Sequence, residues 1–225
     1  MSTEIILEKD IRTLRRESAA AFQQRMERQG TFVVRLLSSP GSGKTTLLEQ
    51  TARRLGDEYR VGVLVGDIAT ERDAERLAPL AATAQITTGG ACHLELPLVE
   101  KILPQLGEEA FDFLFIEDVG NLVCPASHDL GEHFRVLVLS TTEGDDKPGK
   151  YPKAFRTSQA VVINKIDLLP YVPFSVEQAI ADAKDVQGEL VFFPVCALRG
   201  EGVDAWCDSL VERRRQMLTK NGGKE

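Results

Sequence analysis

Ser38-Ser39-Pro40-Gly41-Ser42-Gly43-Lys44-Thr45-Thr46 is the segment of this 225-residue chain best equipped for chemistry. It follows the apolar run TFVVRLL and opens a stretch with helical spacing. That strand–loop–helix context is what a phosphate-binding loop requires. Gly41, Ser42 and Gly43 let successive backbone N–H groups turn inward around phosphate oxygens, and the helix N-terminus adds positive potential. Lys44 can reach the β- and γ-phosphates, the Thr45 hydroxyl can bind Mg²⁺, and Thr46 completes the cradle. The pattern G-x-x-x-x-G-K-[ST] opens on Ser38 instead of glycine, which ordinary backbone angles tolerate. A glycine-rich turn that caps a helix without any ligand is the bland alternative, and the flanking strand and helix disfavour it.

Asn164-Lys165-Ile166-Asp167 closes the apolar run AVVI much further along. A carboxylate here can accept from both N1–H and the exocyclic amine of guanine, a pair of donors that adenine does not present together. Asp167 is therefore the base reader, Lys165 lies along the base, and Asn164 ties the two loops. A backbone N–H near Ala197, after the last apolar run, is placed to meet guanine O6. Acidic residues close two other runs. Glu117 and Asp118 both compete to meet Mg²⁺, directly or through water, and Asp67 is a second candidate for its shell. Asp73, in the loop after Asp67, is placed to orient an attacking water. No glutamine is evident for that task, so slow intrinsic GTP hydrolysis is expected.

Cys92-His93 precedes a helical stretch, and Cys124 follows the Glu117 run by a few residues. Thiolate and imidazole suit Zn²⁺ and Ni²⁺. One chain offers three such ligands, whereas two chains meeting face to face would pool six. On composition alone a half-buried cysteine and a helix-start histidine are the commoner explanation. Cys196 and Cys207 read as core residues, and His128 and His133 as exposed ones.

These residues need a scaffold that carries them to one edge. Seven β-rich runs, Thr31–Leu37, Val61–Val65, Ala84–Thr87, Phe111–Ile116, Arg135–Ser140, Ala160–Asn164 and Glu189–Val195, alternate with helical stretches. The helices fall at Lys44–Leu55, Ala74–Leu80, Leu94–Leu103, Val176–Gln187 and Val203–Leu218. Near-continuous apolar runs interleaved with helices predict an α/β fold of the P-loop NTPase kind. Its sheet is doubly wound and mainly parallel, with helices on both faces and ligands beyond the carboxyl ends of the strands. Residues 1–30 read as an N-terminal helix packed on this domain through Leu7, Ile11, Leu14, Ala21, Phe22 and Met26. Residues 31–219 form the domain and 220–225 a solvated tail.

An apolar fraction of 43% can build a core without disulfide staples, and the net charge of −7 disfavours nucleic acid and anionic membranes as partners. The N-terminus lacks the basic start of a secretory signal, and no apolar run approaches the roughly 20 residues of a membrane span. Four well-separated cysteines read as thiols. A cytoplasmic location is expected.

The segments SSPGSGKTTLLE, RVGVLVGDIAT, TGGACHLE, VGNLVCPASHDLGE, TEGDDKPGKYP and VVINKIDLLPYV together resemble the hydrogenase nickel-incorporation GTPases, maturation factors of nickel–iron hydrogenases. The resemblance runs from about Leu7 to Leu218, and the TGGACHL and GNLVCPAS pair is specific to that family among its relatives. It implies the SIMIBI class, which includes nitrogenase iron protein and the signal-recognition GTPases, and a homodimer formed on GTP. It implies Zn²⁺ or Ni²⁺ on Cys92, His93 and Cys124 at the dimer interface, and it favours Glu117 over Asp118 for Mg²⁺. It implies as partners a nickel-binding accessory protein and the hydrogenase large subunit. Three departures stand out. Asp118 replaces the usual asparagine, which puts extra negative charge near the γ-phosphate or metal. His128 replaces the usual phenylalanine and is an extra potential ligand. No N-terminal cysteine motif or histidine-rich stretch is present, so nickel storage is not expected. Related urease-type or cobalamin-enzyme GTPase chaperones, and P-loop kinases of small metabolites, share the phosphate loop but are not expected to carry the CH…C pair.

Overall fold

The seven apolar runs become seven strands, β1 (Phe32–Ser38), β2 (Val61–Asp67), β3 (Ala82–Thr87), β4 (Phe113–Glu117), β5 (Phe134–Ser140), β6 (Ala160–Asn164) and β7 (Val191–Val195). They form one parallel sheet in the order β3-β2-β4-β1-β5-β6-β7. The computed structural model describes residues 2–67 and 72–222, and side chains over 10–67 and 72–220. Every residue of β1, β4, β5 and β6 is buried. This is the reason the runs are continuously apolar: helices cover both faces, so no position alternates to solvent. Edge strand β7 is partly exposed and carries Pro194, which has no N–H to give to a further strand.

The helices are α1 (Ser2–Arg28), α2 (Lys44–Leu55), α3 (Arg72–Leu77), α4 (Leu96–Ile102), α5 (Lys147–Lys150), α6 (Pro152–Arg156), α7 (Val176–Val186) and α8 (Val203–Gly222). On one face Val34, Leu36 and Phe115 pack against Leu47 and Leu48 of α2 and Trp206 and Leu210 of α8. On the other, Val33 and Leu114 meet Phe22 and Met26 of α1 and Val99 of α4. Beside them Leu137 and Ile163 meet Phe155 of α6 and Ala179 and Ala183 of α7.

Several elements differ from expectation. Helix α1 docks through Ala19, Phe22 and Met26, spaced by three and four residues, while Ile11, Leu14 and Ala21 are exposed and the Leu7 side chain lies outside the described residues. Helix α3 starts at Arg72, which puts Asp73 in its first turn and not in a loop. The proline-marked segment after Ser140 folds into the short helices α5 and α6, each with proline at its start, where the missing N–H is harmless.

The side chain of His133, expected at the surface, is only 6% exposed. Its ring stacks on Phe32 at 5.3 Å, and Val33 N–H donates to its Nδ1 at 2.9 Å. Burial pushes its pKa down from 6.5 to about 4. A depressed histidine stabilises the fold fully above its unfolded pKa, and that contribution is lost as pH falls towards the folded value. Between pH 6.5 and 4 the loss should reach roughly 3 kcal/mol. His133→Asn, whose side-chain oxygen can still accept from Val33, should flatten that acid limb in urea unfolding. A variant with the wild-type slope would remove His133 as its source.

Candidate functional site

Strand β1 ends at Ser38 and α2 begins at Lys44, so the glycine-rich stretch between them is the loop itself. Gly43 has φ 94°, and a Cβ there would lie 2.4 Å from Asn164 Nδ2. Only glycine lets the phosphate loop close on the Asn164 loop. Asn164 Nδ2 donates to the Ser42 carbonyl at 2.8 Å, and its Oδ1 accepts from Lys165 N–H at 2.8 Å and Ala197 N–H at 3.0 Å. The Ala197 N–H, the candidate donor to a guanine oxygen, thus lies beside the Asn164 side chain at the closing end of β7. Lys165 holds φ 64° as a non-glycine residue, a costly conformation, and its Nζ donates to the Gly41 carbonyl at 2.7 Å. Asp167 follows in a 3₁₀ turn, 13% exposed, with Arg199 Nη2 at 3.9 Å.

Lys44 Nζ donates to Ser38 Oγ at 2.7 Å, and Thr45 Oγ1 donates to Glu117 Oε1 at 2.9 Å. Glu117 is 4% exposed, and its second oxygen is buried without a hydrogen-bond partner among the described residues. Burial pushes its pKa up to about 7, against the pull of Lys44 and of the Thr45 hydrogen bond. A hydroxyl and an unsatisfied carboxylate oxygen at the start of the loop helix are the hard oxygen donors that Mg²⁺ takes, so these residues fit the ion. The raised pKa sets a second pH limb, opposite in sign to that of His133. Without divalent ions the stabilisation is full below pH 4.5 and declines as pH rises through about 7, by roughly 3 kcal/mol. Glu117→Gln should abolish the decline between pH 5 and 8 in urea unfolding, and a persisting decline would assign it elsewhere.

The remaining acids are placed less directly. Asp67 closes β2, and its carbonyl accepts from Thr88 N–H at 3.0 Å. Residues 68–71 lie outside the described residues. Asp73 pairs with Arg76 at 3.3 Å, and Arg76 also donates to Thr46 Oγ1 at 3.1 Å and Glu49 at 2.8 Å. Arg76 thereby clamps α3 to the loop helix. Lys147 Nζ donates to Ser39 Oγ at 3.3 Å, bringing a cation to the loop from the segment after Ser140. Neither cation carries a signal in the sequence beyond its charge.

Cys92, His93 and Cys124 come together, one ligand atom of each lying within 4.8 Å of the others. Cys92 Sγ is 3.8 Å from His93 Nδ1, and the neighbouring Cys124 sulfur holds the Cys92 thiol above its ordinary pKa. Asn121, given no role by sequence reasoning, joins this cluster to the phosphate loop. Its backbone bridges Ser38, its Nδ2 donates to the Cys92 carbonyl at 3.2 Å, and its Oδ1 accepts from Val123 N–H at 2.9 Å. His128 is half-buried, not exposed as expected, and stacks on His93 at 3.9 Å. Cys196 and Cys207 are buried, and burial pushes the Cys207 thiol up to about 12, leaving it inert.

Asp118 departs most from its expected place. It turns away from the phosphate loop into the sheet, where Arg35, 0% exposed in the middle of β1, donates Nε to its Oδ2 at 2.8 Å and adds Nη2. Asp118 Oδ1 accepts from Val119 N–H at 2.9 Å and Leu94 N–H at 3.3 Å. Arg35 Nη1 donates to the His128 carbonyl at 2.6 Å and approaches Glu132 at 3.5 Å, and Arg135 donates to Glu132 at 2.5 Å. The extra negative charge is therefore neutralised inside the fold and does not face the phosphates. An arginine within the apolar run TFVVRLL and an unusual aspartate were both visible in the sequence; their pairing was not.

The CobW/HypB/UreG nucleotide-binding domain family matches residues 32–194. Hydrogenase maturation factor HypB of Escherichia coli (strain K12) is 44% identical over 217 residues, spanning 95% of this chain and 75% of that one. The chain belongs to the HypB family. HypB from Helicobacter pylori, solved in complex with nickel, superposes with a TM-score of 0.84 at 38% identity, covering 90% of this chain and 95% of that one. HypB of Archaeoglobus fulgidus gives 0.82 at 34% identity, covering 90% and 99%. HypB chains are nickel-associated P-loop GTPases of hydrogenase maturation, so the phosphate loop, the Asn164–Asp167 turn and the thiol–imidazole cluster lie in a family whose work involves both nucleotide and metal.

Proposed function

We propose that this chain is a GTP-hydrolysing metallochaperone that dimerises on GTP and delivers nickel during maturation of nickel–iron hydrogenase. The observation that carries the proposal is Asn121, one residue whose backbone lies in a β-bridge with Ser38 of the phosphate loop and whose side chain donates to the Cys92 carbonyl, three positions before Cys124. Gly41–Thr46 cradle the phosphates with Lys44 on the β- and γ-groups, and Asp167, flanked by Asn164 and Lys165, reads guanine. Thr45 and Glu117, with Asp67 in the outer shell, would hold Mg²⁺. When bound, that ion would supply positive charge against the charge that builds on the phosphate oxygens. Asp73, held by Arg76, orients the attacking water.

Nickel is cargo, taken by Cys92, His93 and Cys124, with the equivalent residues of a second chain completing the site. Zn²⁺ suits the same donors. Filling the γ-phosphate position orders the segment from Glu117 to Cys124, and hydrolysis relaxes it, so metal and nucleotide affinities are coupled reciprocally. A nickel-binding accessory protein would supply the metal and the hydrogenase large subunit receive it, in the cytoplasm. Light scattering with metal analysis tests this, comparing GDP with a non-hydrolysable GTP analogue. A metal-bearing dimer with the analogue is expected, whereas a metal-free monomer with both nucleotides would end the delivery mechanism.

A further inference from the structure

We propose that His93, Glu95 and His128 form a second metal position of imidazole–imidazole–carboxylate type, sharing His93 with the thiol set and serving as the solvent-side waypoint for the cargo ion. The proposal rests on the thiol-set assignment only through that shared residue. One donor atom of each of the three lies within 4.8 Å of the others. Two nitrogens and a carboxylate oxygen suit Ni²⁺ and Zn²⁺, and they are harder than the two sulfurs alongside.

The two nitrogens of His93 face different donors. Nδ1 is 3.8 Å from Cys92 Sγ. Nε2 is 3.7 Å from Glu95 Oε1 and, among the described residues, is buried without a hydrogen-bond partner. A buried ring nitrogen left unpartnered is costly, and an ion on the Glu95 side would satisfy it. His128 is oriented as metal-binding histidines commonly are, with Nδ1 2.9 Å from the Cys124 carbonyl. With Nδ1–H donating to that oxygen, the lone pair sits on Nε2, the tautomer a metal requires.

Two features set how the position fills. Glu95 is 47% exposed and pairs with Arg15 at 3.3 Å, an exposed ion pair of little strength that an arriving cation can displace. The rings of His93 and His128 lie 3.9 Å apart and within 20° of parallel. An ion sits in the plane of each ring that binds it, so the two cannot both ligate while stacked. Loading turns one ring out of the stack, and turning His93 exchanges the side its nitrogens serve. The shared imidazole thus passes an ion between the N/O set, opened to solvent by Glu95, and the half-buried thiols.

The test uses the full chain with Co²⁺, Ni²⁺ or Zn²⁺ alone and no nucleotide. Cys92→Ser/Cys124→Ser should still bind one Co²⁺ per chain, with ligand-field absorption but no thiolate charge-transfer band. Adding His128→Phe or Glu95→Gln should weaken that binding by at least about tenfold, and circular dichroism checks that each variant folds. A double-cysteine variant that binds no ion, or binds equally well with Phe at position 128, overturns the proposal. The outcomes separate from those for the thiol set. N/O-bound metal in the double variant without a charge-transfer band in the wild type would retain this site and reject the thiol one, and the reverse pattern would reject this one.

Discussion

Asp167→Asn should lower GTP affinity by about a thousandfold and raise XTP affinity, with ATP binding weak throughout. The carboxylate accepts two charge-assisted hydrogen bonds from guanine, each contributing about 1.5–3 kcal/mol. An amide keeps one acceptor and turns the other into a donor, which opposes the exocyclic amine of guanine and matches the carbonyl of xanthine. The mostly buried setting of Asp167 raises the stakes, because a mismatched polar pair there has no water to turn to. Asn164 and Lys165 brace the turn independently of that side chain, through the Ser42 and Gly41 carbonyls, so the variant should fold normally. Titration with the three nucleotides decides the matter, and an unchanged preference for GTP over ATP would place base recognition elsewhere.

Arg35→Met should destabilise the fold by about 3–5 kcal/mol, the cost of stranding a buried charge. Asp118 would keep two backbone N–H donors but lose the Arg35 guanidinium that neutralises it, at 0% exposure. Asp118→Asn should cost less, about 1–2 kcal/mol, because Arg35 retains Glu132 and the His128 carbonyl. The double variant Arg35→Met/Asp118→Asn should fall short of the sum of the two by at least about 1 kcal/mol, the signature of direct coupling. Metal binding should weaken alongside. Asp118 holds Leu94, next to His93, and Arg35 holds the His128 carbonyl, four residues beyond Cys124. Chemical unfolding of the four proteins tests the pair, and an Arg35→Met midpoint matching wild type would show that the network carries no stability.

Both expectations concern contacts between residues far apart in the chain, and the sequence informs them unequally. The local motifs were legible. A strand–loop–helix with glycines before Lys44, an apolar run ending in Asn164–Asp167, and seven runs too continuously apolar to be half-exposed strands all act through neighbours in the chain. Their order also implied a parallel sheet, because short helical crossovers permit little else. What stayed hidden depends on which side chains meet after the sheet closes. Periodicity offered six apolar anchors on α1, and of the five with described side chains packing used Phe22 and Met26 and added Ala19, since only the stripe facing Val33 and Leu114 can be buried.

From sequence alone came the chemistry each residue type offers and the sheet edge to which it is carried, because backbone geometry and hydrophobic period are local properties. The tertiary structure alone decided that Asp118 answers to Arg35 and not to phosphate. It also decided that His133 is a core group, that His128 lies on His93, and that Asn121 joins the phosphate loop to the thiols. Charge and hydrogen-bond partners must be matched wherever water is excluded, and which residues share that exclusion is settled by packing.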